Sequence, residues 1–422
     1  MCGKTLEYGL IGEKLPHSYS VEIHKNLADY DYRLCELAPE EVGEFMTKKE
    51  FRGINVTIPY KKTVMPYLDE ISEKALRIGA VNTVVNRDGK LYGFNTDHVG
   101  LTSLIVKAGI DIRSKNCMIL GTGGTSQTAR AVLADLGAKK LVVVSRKKAP
   151  GTVTYADAVT MTETEVVVNT TPVGMYPNEN AAPIDIGKFP KLCGVVDAIY
   201  NPLRTELVLD AKRRGIPAVG GLYMLVAQGA AASSLFLGGD GTFNTDDAEK
   251  ICDKVRTQKE NIVLVGMPSC GKSAVGKILS QTLDRKFSDT DELFEKHFGI
   301  TPCDYINSCG ERSFRDTESM IVNECAAESG GIIATGGGAV LRPQNVRALL
   351  RNGRIYFIDR DLSALKPSPD RPLSHDRETL GKMFHARYPL YKDVSDVTVD
   401  GNMSVDEVAK AIRKEFCQST EE

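Results

Sequence analysis

Short β-branched apolar runs alternate along this chain with longer stretches in which apolar residues return every three or four positions. Cys117 to Leu120 has the continuous apolar character of a buried strand. It is followed by Ala129, Val132, Leu133 and Leu136, the i, i+3, i+4, i+7 spacing of a helix face, and then by a second strand-like run from Leu141 to Val144. The pattern recurs at Ile262 to Val265, with Val275, Ile278, Leu279 and Leu283 on the face of the next helix. Such alternation predicts α/β architecture with parallel sheets throughout. Between residues 238 and 261 the pattern turns polar (GGDGTFNTDDAEKICDKVRTQKEN), which predicts a tail helix or linker and the main domain boundary. The most apolar stretch, Leu222 to Leu237, is broken by Gln228, Gly229, Ser233 and Ser234. It falls short of the ~20 residues a membrane span needs, so it reads as a buried helix, with no membrane partner expected.

At 422 residues the chain exceeds one hydrophobic core; at ~150 residues per domain it should divide into two to four domains. A net charge of −2 gives no general basis for nucleic-acid binding, so any anionic ligand must be held by local cations. None of the ten cysteines forms a C-x-x-C pair, and Cys303 and Cys309 lack partners at zinc spacing. Reduced thiols and a cytoplasmic location are the expectation. The opening MCGKTLEYGL has no long apolar stretch and does not read as a secretory signal.

GTGGTS, Gly121 to Ser126, lies between the Cys117–Leu120 run and its helix. That is the context a dinucleotide fingerprint requires: Gly121 and Gly123 let the backbone turn tightly and approach a pyrophosphate at the helix N-terminus, with Gly124 and Thr125 in the same loop. Ser126 occupies the third small position in place of Gly or Ala. After the second strand come Ser145, Arg146, Lys147 and Lys148, where an NAD site usually has an acid. A cationic cluster there suits a 2′-phosphate and favours NADP; the other reading is a solvated basic turn.

Upstream, four polar clusters sit at the ends of strand-like runs: HSYS (17–20), NVTIPYK (55–61), GAVNTV (79–84) and GFNTDHVG (93–100). Ser18 and Ser20 face one way if extended; Ser18 is also a candidate N-cap for a helix starting near Val21. Taken singly, Lys61 is a strand-end lysine and Asp97 an Asx turn or helix cap. In this order, and with NTTPVGM (169–175), DAIYNPLRT (197–205) and GGLYMLVAQ (220–228), these strings resemble shikimate dehydrogenase over about residues 5 to 240. The resemblance implies an α/β substrate domain in residues 1–100, completed by about 221–240, and a Rossmann NADP domain in 101–220. It implies that Ser18 and Ser20 hold the substrate carboxylate, that Thr57, Asn82 and Gln228 bind ring hydroxyls, and that Gly221 borders the cofactor. Lys61 and Asp97 match the catalytic pair: hydride transfer needs a partner for the hydroxyl proton, and Lys61 can serve if burial lowers its pKa. Gln127 departs from the family, which often has an arginine there for the 2′-phosphate.

GMPSCGKS, Gly266 to Ser273, matches the phosphate-binding loop G-x-x-x-x-G-K-[ST] in full, between a strand and a helix. Its amides, from Ser269 through Cys270 and Gly271, would cradle phosphates; Lys272 would reach the β/γ-phosphates of ATP and Ser273 would ligate Mg²⁺. Asp289 and Asp291 stand two apart at a predicted strand end, one suited to the Mg²⁺ shell and the other to a hydroxyl proton; a helix N-cap with an acidic first turn is the alternative. Arg315 and Glu318, one helical turn apart, could equally be a surface ion pair. ATGGGAV (334–340) ends a strand in three glycines, RPL (371–373) sits in a Pro- and Ser-rich loop suited to a lid, and ARYPLY (386–391) supplies Arg387. Together these strings resemble shikimate kinase over about residues 260 to 415. The resemblance implies a P-loop domain in 261–422 with a nucleoside monophosphate kinase-like parallel sheet, after a linker at 241–260. It implies that Asp291, Arg315, Arg387 and Gly336, Gly337 and Gly338 hold shikimate and that Arg371 covers ATP, with Asp289 and Ser273 at the metal.

The combined expectation is a bifunctional enzyme of aromatic amino acid biosynthesis that reduces 3-dehydroshikimate and phosphorylates the shikimate formed. Three other readings stand beside it. The halves could act on quinate or another small hydroxy acid, against which Ser18, Ser20 and Arg387 argue. One half could be a ligand-sensing remnant, which would not need Lys61, Asp97, Lys272 and Asp289. A nucleotide switch would carry a guanine-specificity string, which this chain lacks.

Overall fold

The structure, a computed structural model, describes residues 6–15, 18–366 and 376–418. The chain divides into two compact units, Met1–Val255 and Arg256–Glu422.

The first unit holds two six-stranded sheets. One contains β1 (Tyr8–Gly12), β2 (Tyr32–Glu36), β3 (Gly53–Val56), β4 (Glu70–Ile71), β5 (Thr83–Arg87) and β6 (Lys90–Phe94), in the order β2-β1-β3-β5-β6-β4. It is not parallel throughout: β5 runs antiparallel to both β3 and β6. The cause is local. Only Asp88 and Gly89 separate β5 from β6, and both have positive φ (54° and 84°). A two-residue turn of that shape joins antiparallel strands, whereas a parallel crossover needs a dozen residues or more.

The second sheet contains β7 (Asn116–Leu120), β8 (Lys140–Ser145), β9 (Val153–Thr154), β10 (Val166–Asn169), β11 (Gly194–Asp197) and β12 (Ala218–Val219). It is parallel in the order β12-β11-β10-β7-β8-β9. The Leu222–Phe236 helix is buried along most of its length and packs on the Thr96–Lys107 helix, where Gly100 makes the approach possible. A Cβ at Gly100 would lie 2.5 Å from the Met224 carbonyl oxygen. The Thr245–Lys259 helix buries Ala248, Ile251 and Val255 in the same core as Leu101, Leu104 and Val226.

The second unit is built on β13 (Asn261–Val265), β14 (Phe287–Asp289), β15 (Ile332–Ala334), β16 (Gly353–Asp359) and β17 (Val397–Asp400), parallel in the order β14-β15-β13-β16-β17. β13 is central and buried at every position. Each large aliphatic side chain there contributes roughly 1.5–3 kcal/mol by leaving water, which fixes the strand that launches the phosphate loop. Among the described residues no helix is long and apolar enough to cross a membrane.

Candidate active sites

In the first unit, β3 ends at Val56 and a turn closed by Tyr60 N–H to the Thr57 carbonyl, at 2.9 Å, delivers Lys61. Lys61 Nζ lies 2.5 Å from Asp97 Oδ2, with the two side chains only 14% and 11% exposed. Asp97 occupies the first turn of the Thr96–Lys107 helix, whose cap is Asn95: its side chain accepts the His98 N–H at 3.1 Å. A carboxylate is favoured at that positive helix end. Its other oxygen, Oδ1, accepts from Asn82 Nδ2 at 2.9 Å. Gln228 joins from the Leu222–Phe236 helix, its Oε1 3.5 Å from Asn82 Nδ2 and 3.4 Å from Thr96 Oγ1. Thus Lys61, Asn82, Asp97 and Gln228, spread over 168 positions of the chain, form one buried polar cluster, and Thr96, not singled out from the sequence, belongs to it.

Ser18 and Ser20 lie at the entry to the Ser20–Leu27 helix. That helix starts one residue before Val21; Tyr19 takes the cap position and no side chain caps it. Ser18 Oγ accepts the Ser20 N–H, at 3.2 Å, which bridges it to the next hydroxyl residue and to the first helical amide. Thr57 leads the turn that carries Lys61, its N–H bonded to the Ile11 carbonyl.

The glycine loop lies against this cluster. Gly121 has φ +107°, and a Cβ there would be 3.0 Å from Thr170 and Thr171 at the end of β10. Gly123 caps the Gly124–Asp135 helix without a side-chain cap, and the space beside its Cα is open. The first-turn amides of that helix are therefore not taken by a capping side chain, which fits a pyrophosphate. A Cβ on Gly124 would sit 3.7 Å from Lys61 Cδ, so the loop and Lys61 are neighbours. Thr125 follows in the first turn; Ser126 is buried on the core side, where a small residue serves helix packing. Ser145 ends β8 and accepts the Lys147 N–H, while Arg146, Lys147 and Lys148 are exposed, free to meet a phosphate. Gln127 Oε1 is buried with no hydrogen-bond partner among the described residues. Gly221, at the cap of the Leu222–Phe236 helix, lies against the Ala198 carbonyl.

In the second unit the phosphate loop leaves β13 with positive φ at Gly266 (147°), Ser269 (64°) and Gly271 (103°). A Cβ on Gly266 would be 2.9 Å from the Ile358 carbonyl, which is why glycine stands there. Lys272 Nζ folds over the loop to the carbonyls of Gly266 (2.9 Å) and Met267 (3.0 Å) and is buried. Cys270 is buried beneath it, 3.8 Å from Nζ. Ser273 Oγ donates to Asp289 Oδ2 at 2.5 Å.

The two acids do not share a strand face. Asp289 ends β14 and caps the Thr290–Phe298 helix, Oδ1 accepting the Asp291 N–H at 2.9 Å; Asp291 is inside the helix. The cap preference of aspartate wins over continued strand, and it leaves Asp289 Oδ2 on Ser273 while Asp291 turns toward the glycines 336–338. This hydroxyl and carboxylate suit Mg²⁺, which keeps several waters and phosphate oxygens and takes few protein ligands.

A cavity of about 580 Å³ opens beside them, lined by Asp291, Arg315, Glu318 and Arg387 among others. Arg315 and Glu318 are no surface pair: Nη1 meets Oε2 at 2.8 Å with side chains 9% and 4% exposed. Burial pushes the Glu318 carboxyl up from its ordinary value, against the pull of Arg315. The three glycines run where side chains cannot. A Cβ on Gly336 would be 2.7 Å from Asp291 Oδ1, one on Gly337 2.9 Å from Pro268, and one on Gly338 would overlap the Arg315 guanidinium. Arg387 Nη1 donates to the Gly337 carbonyl at 3.1 Å, and Tyr391 OH donates to the same oxygen. Tyr391 was not singled out from the sequence, although it falls inside ARYPLY, and Glu318 was named there only as the partner of Arg315. Arg371 lies outside the described residues.

Residues 10–84 match the family model of the shikimate dehydrogenase substrate binding domain and residues 268–417 that of shikimate kinase. The chain is 39% identical over 249 residues to the shikimate dehydrogenase (NADP(+)) of Clostridium perfringens strain SM101, covering 55% of this chain and 92% of that one. It resembles the crystal structure of a chorismate mutase/shikimate 5-dehydrogenase fusion protein from Clostridium acetobutylicum, with TM-score 0.56 and 38% identity over 60% of this chain and 97% of the other. The shikimate 5-dehydrogenase of Thermus thermophilus, solved with NADP(H) and shikimate, is similar with TM-score 0.53 and 28% identity over 59% and 99%. The chain therefore belongs to the shikimate dehydrogenase family and carries, on the same polypeptide, a shikimate kinase domain, which makes it a bifunctional enzyme.

Proposed function

We propose that the first unit reduces 3-dehydroshikimate with NADPH and the second phosphorylates the resulting shikimate from ATP, giving shikimate 3-phosphate, as a cytoplasmic step of chorismate formation. The observation that carries the reading is the position of Lys61: bonded to Asp97 on one side and adjacent to Gly124 of the dinucleotide loop on the other. A proton carrier is thus held beside the loop that would place a nicotinamide.

NADPH supplies the hydride that reduces the carbonyl carbon. The protein's part is the proton: Lys61 Nζ gives one to the carbonyl oxygen as it becomes a hydroxyl, and Asp97, held by Asn82, orients the ammonium and balances its charge. Ser18 and Ser20 hold the carboxylate; Thr57, Asn82 and Gln228 take ring hydroxyls. Gly121, Gly123, Gly124 and Thr125 bind the pyrophosphate, and Arg146 and Lys147 the 2′-phosphate.

ATP with Mg²⁺ supplies the phosphoryl group. Ser273 and Asp289 hold the ion, Lys272 neutralises phosphate charge, and Asp291 takes the proton of the acceptor hydroxyl. Arg315 and Arg387 clamp the shikimate carboxylate beside the glycines 336–338.

Purified protein given 3-dehydroshikimate, NADPH, ATP and Mg²⁺ should consume NADPH and not NADH, and shikimate 3-phosphate should appear by mass. Shikimate accumulating unphosphorylated would remove the kinase reading. Phosphorylation of added shikimate without NADPH loss would remove the dehydrogenase reading.

A further inference from the structure

The two Asn-Thr pairs of the first unit meet. Thr83 Oγ1 lies 2.9 Å from Thr96 Oγ1, and Thr83 is completely buried, so it touches no substrate. We propose that Thr83 is a positioning residue of the reduction, the hydroxyl that locks Thr96 and Asn82 in the orientation Asp97 requires; the proposal rests on the dehydrogenase reading above.

The hydrogen bonds run from β2 to the pair formed by Asn82 and Thr96. Tyr32 OH donates to Asn55 Oδ1 at 2.7 Å, which turns the Asn55 amide so that Nδ2 donates to Thr83 Oγ1 at 3.1 Å. A hydroxyl has one hydrogen to give. Asn82 Oδ1 stands 3.2 Å away and accepts the Thr96 N–H at 2.7 Å, while Thr96 Oγ1 is nearer at 2.9 Å; whichever of the two takes the Thr83 hydrogen, Thr83 ties Asn82 to Thr96. Thr96 Oγ1 in turn lies 3.3 Å from Asn82 Oδ1 and 3.4 Å from Gln228 Oε1. With its oxygen held by Thr96, Asn82 presents Nδ2 to Asp97 Oδ1, and Asp97 presents its other oxygen to Lys61. Supporting groups of this kind fix the orientation of those that do the chemistry. The chain of donors runs from the aromatic face of β2, through β3 and β5, to the catalytic pair.

The test is Thr83→Val and Thr83→Ser in the full-length chain, read by NADPH consumption with 3-dehydroshikimate and by thermal melting. Valine keeps the shape, and Asn55 Nδ2 retains the Asn82 carbonyl at 3.4 Å. The expected result is a kcat lowered about tenfold by Thr83→Val, KM within about twofold, and near wild-type kcat for Thr83→Ser. Should Thr83→Val melt below the assay temperature, Tyr32→Phe carries the test, with kcat lowered about threefold at unchanged KM. Unchanged kcat in the folded variant, or a Thr83→Ser as impaired as Thr83→Val, overturns the positioning role. A wild-type chain that consumes no NADPH overturns the dehydrogenase reading itself, and this proposal with it.

Discussion

Arg315 Nη1 lies 2.8 Å from Glu318 Oε2, and the pair is buried in the wall of the cavity beside glycines 336–338. The Glu318 side chain is only 4% exposed, so its charge depends largely on the guanidinium. Arg315→Leu leaves it uncompensated apart from the weaker pull of Arg387 and Arg342. Removing one member of a buried pair costs ~3–5 kcal/mol, and the kinase unit should lose stability toward the lower end of that range. Shikimate KM should rise more than tenfold. Glu318→Gln retains a hydrogen-bond acceptor and should cost about 1 kcal/mol. Melting curves and shikimate saturation check both; equal stability losses for the two variants would contradict the pairing argument.

Lys61 and Asp97 separate charge from geometry. Lys61→Ala removes the proposed proton carrier and should lower kcat for reduction by roughly 10²–10⁴-fold. Asp97→Asn keeps an oxygen for the Lys61 ammonium but not the charge, and should lose less. Phosphorylation of added shikimate should stay within twofold of wild type in both, because the two active sites use separate residues. Initial rates of NADPH loss with 3-dehydroshikimate and of shikimate 3-phosphate formation from added shikimate decide the matter.

Asp289 has two duties that one substitution divides. Its Oδ1 caps the Thr290–Phe298 helix and its Oδ2 takes the Ser273 hydroxyl. Asparagine caps as well as aspartate, so Asp289→Asn should melt within a few degrees of wild type. The lost charge should raise the Mg²⁺ concentration for half-maximal kinase rate by roughly 10–100-fold. An unchanged Mg²⁺ requirement would show that the carboxylate serves the helix alone.

The loop at 266–273 was legible because glycine, lysine and serine at fixed offsets have few other uses between a strand and a helix. The β5–β6 reversal was written in Asp88-Gly89 and masked by the parallel rhythm of the rest. Spacing could not say whether Arg315 and Glu318 are exposed, since an i, i+3 pair looks the same on either face of a helix. For Asp289 and Asp291 the alternative reading, a helix N-cap with an acidic first turn, is the one that forms, because a capping aspartate converts an extended segment into a helix. The bond between Thr83 and Thr96 joins residues thirteen positions apart across a hairpin and into a helix start, and no local pattern encodes that register.

Two buried groups of the first unit give its stability opposed pH dependences. Asp197 accepts from Thr205 Oγ1 at 2.7 Å and from Ile199 N–H and Asn169 Nδ2 at 3.0 Å, yet burial pushes its carboxyl up to about 6 from 3.8. A folded pKa above the unfolded one means the folded state holds the extra proton. Its stabilisation is complete below pH 3.8 and is lost as pH rises through about 6. His24, stacked on Tyr32 at 3.7 Å, is pushed down by burial from 6.5 to about 3. Its contribution has the opposite sign: present above pH 6.5 and lost as pH falls toward 3. Between pH 7.5 and 5 the two partly cancel in the wild type. Asp197→Asn removes one side of the balance. The wild type should gain on this variant by roughly 1–2 kcal/mol over that interval, so the variant loses stability on acidification more steeply. His24→Phe, which retains the stacking, should lose it less steeply than wild type. Melting temperatures of the three proteins at pH 7.5 and 5 test the signs directly, and parallel pH dependences would mean that neither group titrates differently in the folded chain.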